Sequence, residues 1–460
     1  MLWASLKGNI VTKQMTPQMT LVAFLQAQNC SNLPASWRHP ESRSDFMSAD
    51  FYRHLGRVLE AGKFHLGFFD DRLAIPDIFE DSITDTVREG VRAVKLDPML
   101  CAMALGMATE RLGVGVTYST TYYEPFHVAR TFMTLDQLTG GRAAWNVVTS
   151  LNMTEAANMG RSEVLEHDKR YDRAEEFLEV VRGHWRAWDD DALVVDKASG
   201  LFAHPDKVRR LDHRGEWFNS RGPGTVPRSP QGEPVLIQAG QSGRGRQFAG
   251  KWGDLVFVIY PNLQMGRANY AEFKDELDRS GRGRDAVKIA PAVYTVVADS
   301  QAEAEDRRAE YDRLAKPIDG LVLLSEVLNF DFSSKGYDEP FTTEEMAGIQ
   351  GIQAFRDRVV KLSGNPNPSP REFVKYTQRG TLAEFPVFVG TPTSVAAQME
   401  EWFGSARDGF VIAGGHVPGS YEDFARLVVP ELQRRGLFHR DYAGPTLREN
   451  LGIAAPKVGA

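Results

Sequence analysis

With 460 residues the chain is long enough for two or three domains, or for one α/β barrel enlarged by insertions, and it can bury a large core. Its formal charge of -7 supplies no basic stripe for a phosphodiester backbone, so composition points away from nucleic acid and toward a small-molecule substrate. The two cysteines, Cys30 and Cys101, stand in neither a metal-like nor a disulfide-framework spacing, as suits a reducing cytoplasm.

Residues 1–19 lack the basic start, sustained apolar stretch and small-residue cleavage site of a signal peptide and are expected as an N-terminal extension. Strand-like sequence begins with TLVAFLQ from Thr20, and DFYRHLGRVLEAG from Asp50 follows as an amphipathic helix. FHLGFFD from Phe64 is the second strand. The apolar run from Met99 to Ala108 is about half the roughly 20 residues needed to cross a bilayer, so no membrane partner is expected. RLGVGVT from Arg111 is the third strand, and VARTFMTLDQLTGG from Val128 is a helix stopped by Gly140 and Gly141. RAAWNVV from Arg142 precedes LEHDKRYDRAEEFLEV, a charged helix that puts His167 and Tyr171 one turn apart on a shared face. PVLIQAG from Pro234, DLVFVI from Asp254, KIAPAVYTVVA from Lys288 and DGFVIAG from Asp408 complete eight strands. A final helix, SYEDFARLVVPELQRRG, offers Ser420 as its N-cap.

Eight strands alternating with helices predict an α/β fold of the (β/α)8 barrel type, with chemistry at the C-terminal strand ends. Residues 20–445 form this single domain, with insertions at about 189–232 and 316–385 and a C-terminal tail at 446–460. Segments of that length at a barrel mouth serve as lids or binding walls, or merely pad the surface; the lid reading is favoured for the second insertion over the first.

Several motifs fail on inspection. Gly245 to Trp252 has the Gly-x4-Gly-Lys skeleton of a phosphate loop, but Trp252 stands where a hydroxyl must reach magnesium. Around Ser242, Arg244 replaces the second glycine of a nucleophile elbow. No G-x-G-x-x-G follows a strand, and the ten histidines include no His-x-x-x-His pair, so neither a dinucleotide fold nor a metal is expected. One anion site survives: PVLIQAG runs straight into QSGRGRQFAGKWGD, so Ser242 and Gly243 open a helix whose free N–H groups attract a phosphate, with Arg244 and Arg246 adding charge. A tight strand-to-helix turn explains the same glycines. Asp71, Thr117 and Asn146 end strands at the expected mouth, as catalytic groups or as satisfied core polar groups.

Six stretches together resemble the reduced-flavin monooxygenases of the bacterial-luciferase-like superfamily: SWRHPES, LEAGKFHLGFFDDRLA, GVGVTYSTTYYEPFHVARTFMTLDQLTGGRAAWNVVTSLN, LEHDKRYDRAEEFLEV, VPRSPQGEPVLIQAGQSGRGRQFAGKW and LVVPELQRRGLF. They run from about Trp37 to Phe438. The branch is that of nitrilotriacetate, long-chain alkane and dibenzothiophene-sulfone monooxygenases. The resemblance implies FMN, arriving as FMNH2, with O2 as co-substrate. It places Asp71 in the family's Ala-Asp turn, Thr117 and Asn146 near the flavin's reactive edge, His167 and Tyr171 as helix contacts, and Gln241 and Ser242 in the phosphate turn. Thr117 and Asn146 are the implied catalytic pair, and Cys30, Phe68 and Phe126 are candidates for the substrate pocket.

The sequence departs from the alkane branch at Leu33 and Leu151, where histidines are expected, and from the sulfone branch in SNLPAS before WRH. Without a dinucleotide fingerprint, reduced FMN must come from a separate NAD(P)H:flavin reductase. The expected substrate is a small xenobiotic: an aromatic sulfone or other organosulfur compound, a chelating amine or a halogenated aromatic. Homo-oligomerisation as a dimer or tetramer follows from the resemblance. Two alternatives stand beside it: an oxidoreductase using deazaflavin F420, and a flavin-binding protein without turnover.

Overall fold

Eight short runs rich in Val, Ile, Phe and Ala form the parallel strands β1 (Thr20–Leu25), β2 (Leu66–Phe69), β3 (Gly113–Ser119), β4 (Ala143–Val148), β5 (Val235–Gln238), β6 (Leu255–Val258), β7 (Lys288–Val297) and β8 (Gly409–Ala413). The computed structural model describes residues 18–28, 31–240, 243–349 and 351–456. Most of the expected N-terminal extension, together with Cys30, Gln241 and Ser242, lies outside the described residues.

Each strand pairs with its neighbours in order, and β1 pairs with β8 from Thr20↔Gly409 to Phe24↔Ala413, which closes the barrel. All eight expected strands are present. Both faces are covered, so the strands read as near-continuous apolar runs rather than alternating ones. Every second residue still points inward: Val22, Leu66, Phe68, Ala144, Ile237 and Phe257 belong to the inner cluster, while Leu21, Val114, Val116 and Trp145 pack in the layer shared with the helices. A further short strand, Val387–Gly390, pairs in parallel with Tyr294–Val297 in the distal half of β7. A four-residue run that follows Pro386 and ends on a glycine is too short to show a period, so the sequence did not announce it.

The helix Pro125–Leu138 ends where expected, with Gly140 and Gly141 at φ +68° and +85°. A Cβ on Gly141 would lie 3.0 Å from the Gln231 backbone nitrogen, so glycine is needed there for space as well as for conformation. The last helix differs from expectation. It runs as Gly419–Asp423, a wider π turn at Phe424–Val428, and Val429–Arg434, and Ser420 sits inside its first turn rather than capping it. Pro430 has no N–H to donate to the preceding turn, and the widened ladder accommodates that gap.

The 189–232 insertion carries two isolated hairpins, Leu193–Asp196 with Leu201–Ala203 and His213–Arg214 with Asn219–Ser220. The 316–385 insertion is helical and packs its own aromatic cluster around Phe332, Phe341 and Phe373. Its first helix, Pro317–Leu328, is tied to loops that leave the C-terminal ends of β1, β2 and β4. Arg38 pairs with Asp319 at 2.7 Å, Glu326 faces Arg72 at 3.5 Å and Arg92 at 3.7 Å, and Asn329 Nδ2 donates to the Leu151 carbonyl at 3.2 Å. The insertion therefore lies over the barrel mouth. At the opposite end, Thr446 caps the short helix Leu447–Leu451, and buried Arg448 reaches the Glu233 carbonyl at 3.1 Å and Asp254 at 2.8 Å, just before β5 and β6. Among the described residues no helix is long and apolar enough to cross a membrane.

Candidate active site

The inward rows of β3 and β4 turn polar as they approach the mouth. Gly115 and Ala144 face each other in register, and two residues on, Thr117 and Asn146 do the same. Asn146 Nδ2 donates to Thr117 Oγ1 at 3.0 Å, and both side chains are buried. Asn146 Oδ1 is buried with no hydrogen-bond partner in the protein, and so are both amide atoms of Gln28, three residues beyond β1. Leaving a buried polar group unpaired costs about 1–3 kcal/mol, so such atoms mark places where a polar ligand is welcome. An apolar layer lies on the inner wall nearby: Phe68 stacks on Phe24 at 5.7 Å and meets Phe257 edge-on at 4.8 Å. Phe68 is itself buried in the inner core.

On the β5 side, Gln238 Nε2 donates to the Val147 carbonyl at 2.6 Å while its Oε1 accepts from Gly240 N–H at 2.7 Å, which fixes the start of the turn. A Cβ on Gly240 would stand 2.8 Å from Gln238 Oε1, 2.9 Å from the Tyr171 hydroxyl and 3.0 Å from Gly245 Cα, so only glycine lets this turn pass beneath Tyr171. Tyr171 is buried against Phe248 at 5.5 Å, with His167 at 5.2 Å between ring centres. His167 opens the helix His167–Trp185, and its half-exposed ring has Nδ1 2.7 Å from Asp168. The structure thus brings the His167–Tyr171 face to the turn from which the helix Gly243–Trp252 starts.

The arginines of that turn behave differently from expectation. Arg244 pairs with Asp172 and Glu175, each at 2.9 Å, and Arg246 with Glu272 at 3.0 Å and Glu276 at 3.4 Å. Their charge is spent on neighbouring helices. Of the features expected to favour an anion there, the dipole of the helix Gly243–Trp252 remains.

Past β2, the adjacent carboxyls Asp70 and Asp71 are pushed in opposite directions. Burial would raise Asp70, but Lys95 at 2.6 Å, with Arg92 behind it, holds it below the usual carboxylate range. Burial carries Asp71 up to about 7 against the pull of Lys95, with Asp70 adding to the rise. One carboxylate stays charged and the other is poised near neutrality, the arrangement by which neighbouring acids take separate roles. Phe126 is placed apart, in the outer helical layer, where its ring meets His184 edge-on at 5.1 Å beside a shallow cleft with Met133 and Trp185.

A family model described as luciferase-like monooxygenase matches residues 79–408. The chain belongs to the luciferase-like monooxygenase family. It is 44% identical over 450 residues to dibenzothiophene-sulfone monooxygenase of Rhodococcus erythropolis, covering 96% of this chain and 98% of that one. It is 37% identical to nitrilotriacetate monooxygenase component A of Aminobacter aminovorans, covering 92% and 94%. A solved structure of riboflavin lyase with modified FMN and riboflavin superposes with a TM-score of 0.83, at 32% identity, covering 95% of this chain and 96% of that one. This luciferase-like monooxygenase is an oxidoreductase that incorporates oxygen.

Sequence reasoning passed over part of this monooxygenase's mouth. Gln238 could have been found as the polar end of the strand-like run, although it continues the outward row of Leu236 rather than the inward row of Val235 and Ile237. Lys95 and Glu326 carried no local signal: one lies in a loop without periodicity and the other on the buried face of a helix in an insertion.

Proposed function

We propose that this chain is the oxygenase component of a two-component system, taking FMNH2 from a separate NAD(P)H:flavin reductase and using O2 to oxygenate a small organic molecule. The observation that carries the reading is the buried Thr117–Asn146 pair, whose free amide oxygen lacks a partner at the mouth that the Gly240–Tyr171 turn also borders. Reduced flavin, when bound, supplies the electrons that activate oxygen. The residues do the rest. Asn146 and Thr117 hydrogen-bond the polar edge of the ring system, and Gln28 offers a second unpaired amide. Tyr171 and His167, together with Gln241 and Ser242, hold the phosphate and ribityl chain. Asp71, near neutrality, can give or accept a proton at its carboxyl. The 316–385 insertion excludes bulk water, which strengthens each of these polar contacts.

For the substrate we favour an aromatic organosulfur compound, with chelating amines and halogenated aromatics behind it. Its support is the 44% likeness to a sulfone monooxygenase and the aromatic layer of Phe24, Phe68 and Phe257. Cys30 joins Phe68 as a candidate for specificity, while Phe126, in the outer helical layer against His184, is set aside. A cytoplasmic dimer or tetramer completes the reading. The test is oxygen uptake by the purified chain with NADH, FMN and a substrate panel. Uptake coupled to a new product is expected only once a flavin reductase is added, and turnover without the reductase would refute the division of labour.

A further inference from the structure

The helix His167–Trp185 is 19 residues, or about 28 Å, long, and the 189–232 insertion follows its far end, away from His167 and the proposed flavin contacts. The first hairpin of that insertion, Leu193–Asp196 with Leu201–Ala203, projects into solvent: every residue from 193 to 202 is exposed. We propose that this hairpin is an assembly arm that docks on a second copy of the chain. The arm gives the dimer or tetramer its contact, and its test needs no flavin, so this proposal and the flavin reading can fail independently.

The residues of the hairpin are wrong for solvent. Leu193, Val194, Val195, Leu201 and Phe202 are 36–65% exposed, and none belongs to a hydrophobic core formed by the described residues. Side chains alternate along a strand, so Leu193 and Leu201 share one face with Ala203, while Val194 and Phe202 take the other. The hairpin is apolar on both faces, and a two-stranded sheet with no core on either is marginal in water. Its backbone is held in the same incomplete way. Val195 sits at φ +52°, where the pairing register shifts between Leu193 and Asp196. A β-branched residue is strained in the left-handed region, and such strain persists where surrounding structure holds it in place. Val195 is 51% exposed, so its own chain supplies little of that support.

Area, shape and charge identify the occupant. The five side chains together offer on the order of 400 Å² of apolar surface, close to the apolar share of the roughly 800 Å² that one partner gives to a standard interface. A flat bilayer covers one face of a hairpin, whereas a second copy that reaches across with its own arm covers both. Across a two-fold axis the two arms meet as one self-complementary patch. The irregularity at Val195 and the proline at 205 blunt the strand edges, so docking uses the faces and not strand addition. Residues 189–209 hold five acidic and three basic side chains, which disfavours an anionic membrane. Two of those acids are paired inside the segment, Asp189 with Arg209 at 2.9 Å and Asp191 with Lys207, so like charges do not keep two copies apart. An apolar surface this open also needs a partner that is present whenever the chain is, and another copy meets that condition where a transient reductase does not.

The full chain, without flavin, is weighed by light scattering after size exclusion and by sedimentation. A mass of two or more copies is expected. Phe202→Asp combined with Val194→Ser, both at exposed positions outside the core, should halve that mass while the circular dichroism spectrum stays the same. Hydrogen exchange reads the contact without any substitution: amides of residues 193–203 should exchange at least about 100-fold more slowly in the assembled chain than in an unstructured peptide, which a bare hairpin of marginal stability cannot achieve. A parent that remains a single copy at every concentration overturns the proposal, whether the hairpin stays bare or binds phosphatidylcholine vesicles. A correctly folded double variant that keeps the parent's mass overturns it as well, and so does fast exchange over 193–203 in the assembled chain.

Discussion

Asn146→Ala separates a ligand-facing amide from a structural one. In the free protein the substitution removes a hydrogen bond to Thr117 Oγ1 at 3.0 Å, a net loss of about 0.5–1.5 kcal/mol. It also removes the buried, unpaired Oδ1, whose presence costs about 1–3 kcal/mol. The two effects nearly cancel, so the unfolding midpoint of the flavin-free chain should move by no more than about 2 °C, given about 2–4 °C per kcal/mol for chains of roughly 200 residues and less for longer ones. On the proposed reading FMNH2 gives Oδ1 its partner, and the loss of that bond should then cost about 1–3 kcal/mol of binding, or about 5- to 150-fold in Kd. The assays are thermal unfolding without flavin and an anaerobic FMNH2 titration followed by fluorescence. A midpoint that falls by many degrees while Kd stays put would show that Asn146 serves the core, and the reading of the mouth would fail with it.

Two further outcomes follow from the same geometry. Because Asp71 is raised from an unperturbed value of about 3.9 to about 7, its contribution to stability is complete below the lower value and is lost as pH rises through the upper one. Asp71→Asn should therefore become more stable relative to the parent between about pH 4 and pH 7, and denaturant melts giving parallel curves over that range would contradict the shift. Gly240→Ala forces a Cβ against Gln238 Oε1, the Tyr171 hydroxyl and Gly245 Cα, at 2.8, 2.9 and 3.0 Å. Two of these can swing aside and one is backbone, so a loss of about 1–3 kcal/mol is expected, with weaker FMNH2 affinity because Tyr171 is displaced. Equal affinity and an unchanged melting curve would place Tyr171 outside the flavin site.

What the sequence determined by itself was local. The strands were legible because a strand buried on both faces must be an unbroken apolar run, and Gly140 with Gly141 marked a helix end because few residues but glycine tolerate positive φ. Thr117 and Asn146 could be placed at the mouth because side-chain direction in a strand has a period of two. Ser420 was misplaced within one turn: the helix starts at Gly419, and the Ser420 hydroxyl accepts from His416 N–H at 3.1 Å instead of capping.

The tertiary structure decided everything that depends on two distant segments meeting. It turned Arg244 and Arg246 toward carboxylates on other helices, brought Lys95 against Asp70 so that Asp71 alone stays near neutral, and seated Glu326 of an insertion over Arg72 and Arg92. It also set His39 beside His416 at the seam between β1 and β8. Backbone periodicity is a property of neighbouring residues and can be read along the chain. Proximity across the barrel comes from its closure, in which pairing register and the twist of all eight strands act together, and no short stretch of sequence contains that sum.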